Sequence, residues 1–267
     1  MARSGRKRQR TPPAAQYDAI AELYDGYPGD YTEDLVFYAG EALAGGSPVL
    51  EIGAGTGRLT LGLAALGLEV VALDNSAAAL QVLERKRAQA GGNRGQVSTV
   101  VADMRGFDLG RTFARVLVPF RTFLYLLTED DQRRALRAFR RHLAPGGRLV
   151  MSFFVLPPAL LKVTRTPEEE GARFPAPDGE GEVVAFGWTE FDHAARRVVS
   201  HFRYEWRGRR RRALEHQLVA RYVLPEEMPP LLESCGYRVV AAYGDFSRRP
   251  LTADSREQIW VAEAAPE

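Results

Sequence analysis

Cysteine is almost missing from this chain, with Cys235 standing alone among 267 residues. A single thiol excludes an internal disulfide and any cysteine-built metal site. Lysine is nearly as scarce. It occurs only at Lys7, Lys86 and Lys162, so the basic residues are almost all arginine, a bias that reads as GC-rich coding rather than as function. Nor does one charge dominate: 36 basic side chains against 34 acidic ones leave a formal charge of +2. Bulk charge therefore argues for neither a nucleic acid nor a membrane partner. No apolar run approaches the ~20 residues that span a bilayer. The start of the chain is basic but no apolar segment follows it, so no secretory signal is expected and a cytoplasmic enzyme is the default. No internal repeat is visible.

What is present is enough chain to bury a sizeable core. Residues 1–14 read as a disordered basic tail, ending in Thr11-Pro12-Pro13. Tyr17, Ile20, Ala21 and Tyr24 then recur at helical spacing and predict a first helix that Gly26 breaks. From Pro48 onward strands and helices alternate. Apolar strands are expected over 49–52, 70–74, 97–101, 115–120 and 149–155. Ser76 and Thr128 are placed to cap two of the intervening helices. Near-continuous apolar strands alternating with amphipathic helices imply an α/β fold with a mostly parallel sheet covered on both faces. The stretch 157–177, rich in Pro, Gly and charge, reads as a mobile linker or lid. Three strands follow over 183–191, 198–206 and 214–222 with no helix between them, which predicts a small inserted antiparallel sheet. A short helix near Pro225 and strands over 237–243 and 258–262 complete the chain.

The stretch that organises the rest is Val49-Leu50-Glu51-Ile52-Gly53-Ala54-Gly55-Thr56-Gly57-Arg58. It combines a buried strand, a glycine turn and the start of a helix. Three glycines on alternate residues let the backbone turn sharply and leave bare main chain for a ligand to approach. A dinucleotide-binding turn needs its last glycine at position 58, where Arg58 stands. With an acidic strand end just before it, the spacing resembles motif I of the class I S-adenosylmethionine (SAM) dependent methyltransferases. The resemblance extends over most of residues 17–262. It implies a Rossmann-like, seven-stranded, mostly parallel sheet with an N-terminal helical cap and the inserted sheet beside it. Residues 15–155 and 224–267 then form the SAM-binding domain, and 156–223 an inserted lid.

The same resemblance implies roles position by position. Glu51 faces the amino acid moiety of SAM, and Gly53, Ala54, Gly55 and Gly57 form the loop beneath it. Asp74, with Asn75 beside it, ends the second strand where a carboxylate accepts the ribose hydroxyls; an acceptor-only group suits two O–H donors. Asp103-Met104 reads the adenine edge. Val118 and Pro119 flank the methionine part, and Tyr17 closes over it. S-adenosylhomocysteine is the implied product.

Methyl transfer has no universal catalytic signature, because the cofactor brings the electrophile and the protein mainly aligns the nucleophile. Three absences narrow the class. The fourth strand ends Val-Pro-Phe rather than Asn/Asp-Pro-Pro-Tyr/Phe, which disfavours methylation of exocyclic base amines. Cys235 lies in a helix-to-strand turn, not after a proline, which disfavours a nucleophilic cysteine. No Asp/Asn set matches the Mg²⁺ site of catechol-type enzymes, so no metal is expected. Tyr17, Tyr24 and Tyr125 are the catalytic candidates, Tyr125 standing where some sugar-amine enzymes carry a His. Phe120, Arg121, Tyr125 and Trp188 are the substrate-binding candidates. The expected reaction is SAM-dependent methylation of an N or O nucleophile on a small molecule, with a lean to nitrogen. The alternatives are an RNA or peptide acceptor guided by the basic tail and the arginines at 207–212, and a non-catalytic SAM-binding protein. A homodimer through the inserted sheet is a further expectation.

Overall fold

A computed structural model describes residues 15–26, 32–91, 95–208 and 212–266; the basic tail and residues 209–211 of the arginine turn lie outside them. The chain opens with α1 (Ala15–Asp18) and α2 (Glu33–Gly45), followed by β1 (Val49–Ile52), α3 (Arg58–Ala65), β2 (Val70–Asp74), α4 (Ala77–Gln89) and β3 (Val97–Val101). After β4 (Phe113–Val118) come α5 (Glu129–Arg141) and β5 (Leu143–Phe154). β6 (Glu169–Pro175), β7 (Glu182–Asp192), β8 (Arg197–Arg207) and β9 (Arg212–Arg221) follow without a helix between them, and α6 (Met228–Ser234), β10 (Tyr237–Tyr243) and β11 (Glu257–Ala264) close the chain.

The seven-stranded sheet runs β10-β11-β5-β4-β1-β2-β3. Every pairing is parallel except those of β11 with β5 and β10. β1 and β2 are apolar apart from their acidic members Glu51 and Asp74, and all nine residues are buried, as strands covered on both faces must be. The chain reverses direction through the sheet between β1 and β4, which opens a crevice at their C-terminal ends. Local signals set the helix starts. The Ser76 hydroxyl accepts the Ala79 amide at 3.1 Å, and Thr128 accepts that of Asp131 at 3.1 Å. α5 shows a charged face to water and buries Ala135, Leu136, Ala138 and Phe139 against Ile52, Phe123 and Phe153. Each large apolar side chain hidden this way contributes about 1.5–3 kcal/mol.

The second sheet is antiparallel in the order β6-β7-β8-β9, four strands rather than the three expected. The stretch read as a linker supplies β6, an exposed edge strand whose charged residues carry no apolar alternation. The expected first helix is also interrupted. It stops at Asp18 and continues through 3₁₀-type bonds from the amides of Ile20, Leu23 and Gly26 to the carbonyls three residues back. Tertiary packing explains the tighter winding. Ile20 and Leu23, three residues apart, both enter the cluster beneath the second sheet with Val183, Phe202 and Tyr204, while Ala21 packs on Ala79 and Val82 of α4. This segment straps the two sheets together. The fourth strand ends at Val118, two residues earlier than expected, because Phe120 and Arg121 take left-handed backbone angles, φ 50° and 70°. Among the described residues no helix is long and apolar enough to cross a membrane.

Candidate active site

The loop after β1 turns on glycine. Gly53, Gly55 and Gly57 hold φ of 73°, 55° and 85°, the left-handed region that L side chains enter only at a cost. Each has different surroundings. A Cβ on Gly53 would lie 2.4 Å from the Thr122 side chain, and one on Gly57 2.5 Å from Leu83. On Gly55 it would meet nothing within 4 Å among the described residues, which leave the space above it open. The loop is pinned to β2. The Gly53 and Ala54 amides donate to the Leu73 carbonyl at 2.7 and 3.1 Å, and the Gly55 amide donates to Oδ2 of Asp74 at 2.8 Å. The other Asp74 oxygen accepts the Ser76 amide at 2.8 Å. Burial raises the Asp74 carboxyl above its ordinary range, against the amides of Ser76, Gly55 and Asn75 that stabilise its charge.

Beyond this loop lies a cavity of about 790 Å³, counting the space open to solvent. Of the residues expected to bind the cofactor, Tyr17, Gly53, Gly55, Asp74, Asn75 and Met104 line it. Tyr24, Phe120 and Tyr125 join them. Thr56, Ala79, Ala102 and Thr122 also line it and carry no sequence signal of their own, although each adjoins or follows a motif residue. Glu51 does not reach the cavity. It is buried toward α3, where it accepts the Thr60 hydroxyl, and burial pushes its carboxyl up to about 8 against Thr60 and Arg58. Ala54, Gly57, Val118 and Pro119 are buried and are not among the residues that line the cavity. The Asp103 carboxylate is taken by Arg105, whose hydrogen bonds hold it below the usual range, so it faces this guanidinium rather than the cavity.

A second cavity opens on the other side of a wall of rings. Tyr17, Tyr24, Phe120 and Tyr125 border both cavities. Leu124, Phe154 and Arg121 line only the second, facing Val198, Ser200, Phe202 and Tyr204 of β8 and Leu218 and Ala220 of β9. The Tyr17 and Tyr125 hydroxyls are hydrogen-bonded to each other, and the Tyr17 ring sits edge-on to those of Tyr24 and Tyr125 at 5.6 and 5.5 Å. Burial raises the phenols of Tyr17 and Tyr24 well above 10. Behind Phe120, the guanidinium of Arg58 lies 4.8 Å from the ring centre and is held by two hydrogen bonds to the buried Asp34 carboxylate. Trp188 is not brought to either cavity. It sits on the outward face of β7, stacked on His201 at 4.7 Å, with Arg165 over its ring. Strand parity carries that signal: Val183 and Ala185 point inward, so Trp188 points out.

Residues 49–147 match the model of a family described as a methyltransferase domain. A cypemycin N-terminal methyltransferase from a Streptomyces species is 30% identical over 223 residues, covering 82% of this chain and 83% of that protein. A dTDP-4-amino-2,3,4,6-tetradeoxy-D-glucose N,N-dimethyltransferase from Saccharopolyspora spinosa is 31% identical over 134 residues, 48% of this chain and 51% of its own. Among solved structures, the CcbJ methyltransferase from Streptomyces caelestis superposes with a TM-score of 0.77 at 31% identity, covering 96% of this chain and all of the other.

Proposed function

This chain belongs to the class I SAM-dependent methyltransferases, and we propose that within that family it methylates a nitrogen of a small-molecule acceptor. When bound, SAM supplies an electrophilic sulfonium methyl and leaves as S-adenosylhomocysteine. The residues present suit it. Open space above Gly55 admits a ligand against bare main chain, and Asp74 offers a carboxylate at the cavity wall. We assign cofactor contact to Tyr17, Gly53, Gly55, Asp74, Asn75 and Met104. Glu51, Ala54, Gly57, Val118 and Pro119 support that surface from behind.

One observation carries the acceptor reading: four rings border both cavities, so a nucleophile entering the second meets the first across a single layer of side chains. Three of the relatives found by sequence are named for an N-terminal methylation or an amino-sugar N,N-dimethylation, which supports nitrogen over oxygen. Because their phenols are raised, Tyr17 and Tyr24 stay protonated at neutral pH and are unsuited to act as general bases. Each can instead accept an N–H and so aim the nitrogen lone pair. The amine then loses its proton to water before it enters, and rate comes from proximity and alignment.

The same reading takes residues 15–155 and 224–267 as the cofactor-binding domain and 156–223 as an inserted acceptor-side unit, in a cytoplasmic enzyme. It extends to a homodimer through the outer face of the inserted sheet, to be checked by sedimentation. The direct test is transfer from methyl-labelled SAM in a cell extract separated into metabolite, RNA and protein fractions. Label in the metabolites is expected. Label confined to RNA or protein would overturn the small-molecule acceptor.

A further inference from the structure

We infer that the acceptor is an acidic amine with an apolar body, whose carboxylate, sulfonate or phosphate group is held by Arg121 in the second cavity. The inference rests on the reading of that cavity as the acceptor site.

Among the described residues Arg121 is the only charged one lining the second cavity, and no Asp, Glu or Lys of theirs lines it. The other polar groups on its wall are hydroxyls, those of Ser200 and the tyrosines. Among the described residues no carboxylate lies within ion-pair distance of the Arg121 guanidinium. It lies instead over the rings of Phe120 and Phe154, 5.5 and 5.4 Å from their centres. Glu257 feels its field, but burial pushes that carboxyl up and weakens it as a competing anion.

The backbone also holds Arg121 in place. Its φ is 70°, an unfavourable angle for a residue with a Cβ, yet its amide donates to the Ser152 carbonyl at 3.1 Å and its carbonyl accepts the Leu124 amide at 2.9 Å. A strained position that anchors a five-donor fork beside two aromatic faces is suited to bind an anion in two-point fashion. The same cation disfavours an ammonium beside it, so the cavity selects the acceptor with its amine neutral and its acid charged.

The experiment uses two dyes with one skeleton. 8-Anilinonaphthalene-1-sulfonate carries an anion and N-phenyl-1-naphthylamine lacks it. Both are titrated by fluorescence into the full chain saturated with S-adenosylhomocysteine, which fills the cofactor cavity. Arg121→Gln is expected to weaken the sulfonate by about tenfold, the factor for a charged hydrogen bond partly open to water, and to leave the neutral dye within about twofold. Arg121→Lys keeps the charge without the fork and should fall between. Equal losses for both dyes, no loss for either, or a wild-type protein that binds neither dye overturns the inference. Calorimetry of S-adenosylhomocysteine on the same samples reports separately on the cofactor reading. Absent binding there counts against the proposed function and not against the role of Arg121.

Discussion

Gly55 and Gly57 share a backbone conformation but should fail differently when given a methyl group. Placing alanine at φ 55° or 85° costs roughly 1–2 kcal/mol for the left-handed backbone alone. At Gly57 the new Cβ would stand 2.5 Å from Cγ and 3.0 Å from Cδ1 of Leu83, a fully buried side chain that cannot swing clear. Overpacking of this kind adds about 1–3 kcal/mol, so Gly57→Ala should lose roughly 2–5 kcal/mol in total. At Gly55 the Cβ meets no atom of the described residues, so only the backbone term applies to the fold. Its methyl would instead occupy space where the cofactor is proposed to lie. Urea unfolding of the two apo variants, with SAM titrated calorimetrically into each, separates the two effects. Gly57→Ala is expected to be the less stable and to bind SAM nearly normally per folded molecule. Gly55→Ala should be within about 2 kcal/mol of wild type in stability and lose at least about tenfold in affinity. Reversed ordering in either measurement would refute the assignment of the cradle to Gly55.

Asp74→Ala removes the acceptor of the Gly55 and Ser76 amides along with the proposed partner of the ribose, and should weaken SAM by roughly 1–3 kcal/mol; unchanged calorimetric binding would remove Asp74 from that role. Tyr17→Phe and Tyr24→Phe should slow transfer without changing the shape of the rate profile between about pH 7 and 9, because both wild-type phenols are raised and remain protonated there. A lost alkaline limb in either variant would restore a tyrosine base. Glu51 gives a signed stability prediction. Burial raises its folded-state value to about 8 from 4.5, so the folded chain holds a proton that the unfolded chain releases, and stability falls as pH rises between those values. The loss is on the order of 4 kcal/mol. Glu51→Gln should flatten this slope in urea titrations of the apo protein at pH 5 and 8.5, and an unaltered slope would assign it to other groups.

The parts of the fold legible in the sequence were those whose signals are local. The apolar runs of β1 and β2, the caps at Ser76 and Thr128 and the three-glycine turn all follow from neighbours within a few residues. β6 was illegible because an exposed edge strand made of Glu169, Glu170 and Arg173 needs no apolar alternation; its partner β7 supplies the reason to extend. The break in the first helix was illegible because its cause lies in Val183 and Phe202 of the second sheet and in α4, far along the chain. Of the residues expected at the proposed cofactor site, those at strand ends such as Gly53, Gly55, Asp74 and Met104 line the first cavity, whereas Glu51 and Asp103 do not, because Thr60 and Arg105 take their carboxylates. On the proposed acceptor side, Phe120, Arg121 and Tyr125 were named from the segment after the fourth strand, but the remaining walls were not. Those walls come from β5, β8 and β9, and only strand parity links Val198, Ser200, Phe202 and Tyr204 as one inward face.

The turn after β4 ties these two sides together. Phe120 and Arg121 are consecutive non-glycine residues at positive φ, a pairing that costs on the order of 1–3 kcal/mol per residue and persists only where the surroundings over-determine it. Ser152, Pro119 and Leu124 provide the backbone hydrogen bonds that do so. The strain places three consecutive side chains at three different tasks. Phe120 enters the wall between the cavities, Arg121 turns into the second cavity, and Thr122 fills the space that Gly53 leaves by lacking a Cβ. An extended backbone would alternate these side chains across the sheet and could not put neighbouring residues into both cavities and against the glycine loop at once. The proposed cofactor loop and the proposed acceptor wall therefore meet at one turn. A displacement of Gly53 must press on Thr122 and, through the peptide bond, on its neighbour Arg121, so packing couples the two cavities.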